Sequence, residues 1–200
     1  MLRAIVITDF AFPGTTLRSQ TVRTATGGVA PQEIPLPAGV AGVLSDRGGD
    51  SIGTITFPTS HGFAEGELVD VYWAGGLRYG MTIDPLGNGL YLDVLGGAGD
   101  VLPAQDTAVV VAVNTAVTLP INDTENLVYM AFGCNRRSHL EIRASSVTIY
   151  DREIPADGLW CIRDGWADAM GYFDGLRVSN GGVLPATFRV AGLYNSVPNP

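Results

Sequence analysis

Twenty-six glycines and twelve prolines are scattered through 200 residues, and long helices have little room between them. The runs that remain are short, and many alternate apolar with polar side chains. Ile52-Gly-Thr-Ile-Thr-Phe57 and Thr187-Phe-Arg-Val-Ala-Gly-Leu193 are two examples. Period-two alternation places one set of side chains on each face of a strand. Strands are predicted at 3–8, 18–25, 52–57, 68–73, 78–83, 90–94, 108–113, 116–121, 127–132, 139–144, 146–150, 175–178 and 186–194. One short helix is predicted near 164–173, where Trp166, Met170, Tyr172 and Phe173 cluster. Short strands at this spacing with Gly/Pro/Asn/Asp turns suggest a sandwich or a barrel.

Residues 30–50 stand apart, because three prolines fall within seven residues and force extended backbone outside a ladder. The expectation is an all-β chain: a β-sandwich with an inserted or appended small β-barrel, and little helix. N-terminal strands and a proline-rich arm would occupy 1–52. The barrel would span 53–113, and 114–200 would form the sandwich, completed by strands from 1–29.

Only 16% of residues are charged, against about 25% in typical domains, while 46% are hydrophobic. No apolar run approaches the ~20 residues of a membrane-spanning helix. The start, MLRAIVITDFAF, is broken by Asp9 and lacks a secretory apolar core, so synthesis and retention in the cytoplasm are expected. The net charge is −8, and all 12 basic residues are arginine. An acidic chain with ten acids in each half is a poor phosphate-backbone binder, which argues against direct nucleic-acid contact. Absence of lysine removes Schiff-base and P-loop chemistry. Cys134 and Cys161 cannot form a four-ligand zinc site alone, and two buried thiols acting as small hydrophobes are expected.

Three segments invite a catalytic or binding reading. Gly49-Asp-Ser-Ile-Gly53 fits a nucleophile-elbow pattern, but that motif needs a strand before the serine and a helix after it. Here a glycine-rich loop precedes Ser51 and a strand follows, so a turn is expected. His61 is followed by Glu65, Glu67 and Asp70, yet Gly62 and Gly66 oppose a helix, and Glu67 and Asp70 have opposite parity on a strand. A tight loop capped by His61 is the expectation, with hard-metal binding through Glu65 and Glu67 the weaker alternative. Trp73, Trp160 and Trp166 with neighbouring aspartates suit a sugar-binding or sugar-cleaving module. Packing or subunit contact through Trp160, Trp166, Tyr172, Phe173 and Tyr194 is the preferred role. Arg78 is expected to pair with Asp70 or Asp93 across strands. The Asn122-Asp-Thr124 sequon has meaning only in a eukaryotic secretory context. No catalytic constellation, cofactor motif or metal-ligand set emerges.

The run GTITFPTSHGFAEGELVDVYW resembles a strand, His-Gly-[Leu/Phe], two residues, Gly-[Asp/Glu], strand element of tailed-bacteriophage virion proteins. Gly62, Phe63, Gly66 and Glu67 occupy the pattern positions, with His61, Gly62 and Gly66 forming its turn. That resemblance implies the opening hairpin of a small β-barrel or sandwich. GGAGDVLPAQDTAVVVAV resembles the closing strands of such a module, and RVSNGGVLPATFRVAGLY the terminal hairpin of phage decoration domains. The resemblance implies a non-enzymatic virion subunit, most of all a capsid decoration (cement) protein. Its partners would be the major capsid protein and copies of itself as a trimer or dimer. A tail or baseplate subunit is the alternative of the same class. Residues 1–45 and the C-terminal tail would make the intersubunit contacts.

Overall fold

The computed structural model describes residues 10–12, 15–17, 27–84, 89–117, 127–144, 147–163 and 175–194, and every regular element among them is a strand. The predicted strands at 3–8 and 18–25 and the predicted helix at 164–173 lie outside the described residues. The chain divides into two compact units. One is built from Met1–Pro35, Ala116–Val178 and Thr187–Pro200, the other from Leu36–Thr115 and Ser179–Ala186.

The second unit holds a closed barrel. Its strands are β4 (Val40–Arg47), β5 (Ile52–Thr56), β6 (Leu68–Trp73), β7 (Gly76–Asp84), β8 (Tyr91–Gly99) and β9 (Ala108–Val113). Around the barrel they run β4-β5-β8-β7-β6-β9, with β9 pairing back to β4, and every neighbouring pair is antiparallel. Closure leaves no unpaired edge. Alternate residues fill the interior: Val69 and Val71, Met81 and Ile83, Leu92 and Val94, Val109 and Val111, with Leu44, Ile55, Phe57 and Leu102. Each such side chain contributes about 1.5–3 kcal/mol by leaving water.

The barrel begins earlier than the proline pattern suggests. β4 falls in the segment expected to be an arm, yet it supplies a full wall of the barrel. Gly42 lies within that segment and faces inward, where a Cβ would meet Ile55 and the Phe57 ring at 2.9 and 3.0 Å. Its lack of a side chain is what lets β4 close against β5.

The other unit contains two four-stranded sheets and a two-stranded pair, β1 (Phe10–Phe12) with β2 (Thr15–Leu17). One sheet has the order β10-β15-β12-β13, from β10 (Thr115–Val117), β15 (Gly175–Asn180), β12 (Ser138–Ala144) and β13 (Val147–Ile154). The second has the order β14-β11-β16-β3, from β14 (Gly158–Arg163), β11 (Leu127–Cys134), β16 (Ala186–Tyr194) and β3 (Gly27–Leu36). β3 contains Pro31 and Pro35, whose pattern predicts backbone outside a ladder, yet it pairs in the sheet. It sits at a sheet edge, where a missing amide donor is tolerated on the open side. Arg189 anchors it through a 2.8 Å bond to Glu33.

Two connections depart from the resemblance. β15 and β16 do not form a terminal hairpin, because each belongs to a different sheet. The His61 turn joins β5 to β6, which are separated around the barrel by β8 and β7, so it crosses the barrel end rather than closing a hairpin. The turn at 74–75 closes an antiparallel hairpin between β6 and β7, with Trp73 opposite Gly76. The GGAGDVLPAQDTAVVVAV run supplies the end of β8 and the whole of β9, both walls of the barrel.

Candidate functional site

His61 organises the turn at the barrel end. Its amide donates to the Gly89 carbonyl at 2.9 Å, and its Nδ1 accepts the Phe63 amide at 3.0 Å. The imidazole lies between aromatic neighbours, 5.2 Å from the Phe57 ring and 5.4 Å from Phe63, to which it is nearly parallel. Farther along, the Glu67 carboxylate accepts the Ala64 amide at 2.9 Å, and the Glu67 amide donates back to the Ala64 carbonyl at 3.2 Å. Gly62 and Gly66 have φ of 75° and 77°, conformations that L side chains rarely adopt. The expected capped loop is thus what forms, and the Glu67 carboxylate closes it.

Asp70 points away from the barrel interior, as parity requires, yet it is fully buried. Its Oδ1 accepts the Gly80 amide at 2.8 Å and the Asn114 side-chain amide at 2.9 Å. The Ser179 hydroxyl donates to Oδ2, and the Ser179 and Tyr72 hydroxyls lie 2.6 Å apart. The Gly80 contact sits at a bulge, since the β6–β7 register slips between Val69 and Val71. Asp70 therefore caps the bulge and ties residues 179–186 to the barrel. The same segment is held by Asn180, whose Nδ2 donates to the Pro37 and Leu184 carbonyls at 2.9 and 2.8 Å. A buried serine beside a carboxylate could suggest a nucleophile, but Ser179 is 1% exposed, and its hydroxyl is committed to Asp70.

Arg78 does not pair with Asp70 or Asp93. Its guanidinium donates to three backbone carbonyls: Gly96 at 2.7 Å, Gly97 at 2.9 Å and Asp100 at 3.0 Å. The cause is local geometry in β8. At Gly97, φ is +71° and a Cβ would lie 2.5 Å from the Tyr79 carbonyl, so only glycine fits. The kink turns carbonyls toward the guanidinium fork, which satisfies them better than one carboxylate would satisfy the fork. Asp93 instead accepts the Thr54 hydroxyl at 2.6 Å. Ser51 lies in the bend before β5, and no helix follows it, so the Gly49–Gly53 pattern is a turn.

In the sheet unit, Trp160 is half-buried and stacks on Tyr150, with ring centroids 5.1 Å apart and planes 8° apart. It also stacks on Phe132 at 5.5 Å, and Phe132 in turn on Phe188 at 6.2 Å. The Tyr150 contact runs from β13 in one sheet to β14 in the other, so these rings are packing elements. Trp166, Tyr172 and Phe173 lie outside the described residues. Tyr194 ends β16 opposite Leu127. Cys134 and Cys161 are free thiols. They stand on adjacent strands three rungs apart, since Ala131 faces Cys161 and Cys134 faces Gly158, and they point to opposite faces. Burial pushes the Cys134 thiol up, against bonds from the Arg136 backbone, the Ser138 side chain and the Asn135 backbone. Cys134 is thus a poor nucleophile.

One polar cluster escaped the sequence reading. His139, Glu141 and Arg143 alternate along one face of β12, while Leu140 and Ile142 face the core. The Thr148 hydroxyl donates to Glu141 at 2.7 Å, and Arg143 donates to Thr148 at 2.9 Å and Glu141 at 3.3 Å. His139 Nε2 lies 3.6 Å from Asp151. His139 and Glu141 are buried, 1% and 3% exposed. The period-two run His-x-Glu-x-Arg was the available signal.

Comparison of the chain with protein-family models, curated proteins and solved structures returns no match.

Proposed function

We infer that this chain is a non-enzymatic structural subunit of a tailed-bacteriophage particle, a decoration protein that stabilises a capsid lattice by burying surface between capsomers. The observation that supports the reading is the turn from His61 to Glu67. The residues that carry the resemblance also build the loop, through the His61 and Glu67 bonds to backbone amides and the two positive-φ glycines. That loop caps a closed barrel, the kind of module the resemblance implies. The polar groups that could suggest catalysis near it, Asp70, Arg78 and Ser179, are engaged in holding the barrel together. A protein that binds only the assembled lattice stabilises it by mass action.

The test is mass spectrometry of purified particles, followed by heating of particles with and without the chain. A high-copy component whose removal lowers the particle melting temperature supports the proposal. Hexameric rings at the tail would replace it with the tail or baseplate role. Absence from particles would overturn both.

A further inference from the structure

The hairpin of β12 and β13 gathers nitrogen and oxygen donors on one face. Its register sets Glu141 directly opposite Asp151 and His139 directly opposite Glu153. Residues two apart on a strand and their cross-strand partners point the same way, with Cβ atoms about 4.5–5.5 Å apart across the ladder. His139 and Glu141 are buried, whereas the Asp151 side chain is 42% exposed and opens the face to solvent.

His139 Nε2 lies 3.6 Å from Asp151 Oδ2, too long for a hydrogen bond. Two donors each about 2.0–2.1 Å from one tetrahedral zinc ion stand about 3.3–3.4 Å apart, close to that separation. A ring nitrogen of His139 and a carboxylate oxygen of Glu141 lie within 4.8 Å of each other, so small side-chain rotations bring in a third donor. Opposed carboxylates such as Glu141 and Asp151 repel, and a divalent cation between them removes that cost. Thr148 and Arg143 both donate to Glu141 Oε2 and fix that carboxylate's orientation, as outer partners do for metal ligands. Glu153 is instead taken by Arg137 through bonds of 2.8 and 2.9 Å.

We propose that His139, Glu141 and Asp151 form a binding site for a divalent first-row transition metal such as zinc, with water completing a four-coordinate shell. One imidazole nitrogen with two carboxylates suits zinc, whereas calcium and magnesium take oxygen donors. His139 binds as the neutral imidazole, and Asp151 at the rim is the first ligand an entering ion meets. The other histidine of the chain does not compete, because His61 Nδ1 accepts the Phe63 amide.

Isothermal titration of the full chain with zinc chloride at neutral pH tests the site. One zinc ion binds per chain, and an equal concentration of magnesium does not displace it. Asp151→Asn removes a ligand at the rim and weakens zinc binding about tenfold or more. His139→Gln shows the same loss where circular dichroism finds it folded, and Asp151→Asn decides alone where it is not. Glu153→Gln and His61→Asn keep wild-type affinity. Zinc raises the melting temperature of the wild type more than that of Asp151→Asn. A wild-type chain without one-to-one zinc binding, an Asp151→Asn chain that binds as tightly as the wild type, or an equal loss in either control overturns the proposal.

Discussion

Ser179 donates a hydrogen bond to the buried carboxylate of Asp70 across 109 residues of sequence. The contact joins a late segment to a strand formed from the first half of the chain. Asp70 also takes the Gly80 and Asn114 donors, so it is the acceptor on which the bulge and the returning segment both depend. Asp70→Ala leaves these buried donors unsatisfied and is expected to lower stability by about 3–5 kcal/mol. Ser179→Ala is expected to cost about 1–2 kcal/mol. Urea midpoints measure both. A double-mutant cycle with Tyr72→Phe shows coupling, because the Tyr72 and Ser179 hydroxyls touch.

Arg78 binds carbonyls and not a carboxylate, and that distinction is testable. Arg78→Lys keeps the charge but cannot reach the Gly96, Gly97 and Asp100 carbonyls with one ammonium. It is expected to destabilise the barrel by about 1–3 kcal/mol, most of the loss expected for Arg78→Ala. Substituting Asp93 leaves the Arg78 contacts intact. Hydrogen exchange of β8 amides reads the difference.

His61 acts through its acceptor nitrogen. Asparagine at this position presents a side-chain oxygen to an amide two residues on, as in an Asx-turn. His61→Asn is therefore expected to retain most of the loop's stability, whereas His61→Ala loses about 1 kcal/mol. Thermal denaturation of the two variants checks the order.

Cys134 provides a pH-dependent prediction. Burial raises its folded value, so the unfolded thiol ionises first as the pH rises. The contribution to stability is complete below the ordinary thiol value of about 8.5 and declines above it, through the folded value. Urea melts of Cys134→Ala are expected to fall less steeply with pH over that alkaline range than those of the wild type. With a thiol reagent at neutral pH, Cys161 is expected to react before Cys134.

Alternation of side chains along short runs was enough to determine the all-β class and to place β6, β9 and β16 with their observed bounds. It works because strand faces are set by nearest neighbours in sequence. The His61 loop was equally legible, since positive φ at two glycines and an i to i+2 bond are local events. Tertiary structure decided the rest. Gly42 and the prolines of β3 carry turn signals, and only a wall to close or an edge to occupy makes them strand residues. The partners of Asp70 and Arg78 come from distant segments and from carbonyls turned by a glycine kink, neither of which leaves a trace in spacing. Pairing order around the barrel likewise depends on which strands meet after collapse. It placed the most recognisable turn of the sequence across the barrel end, between strands that do not pair.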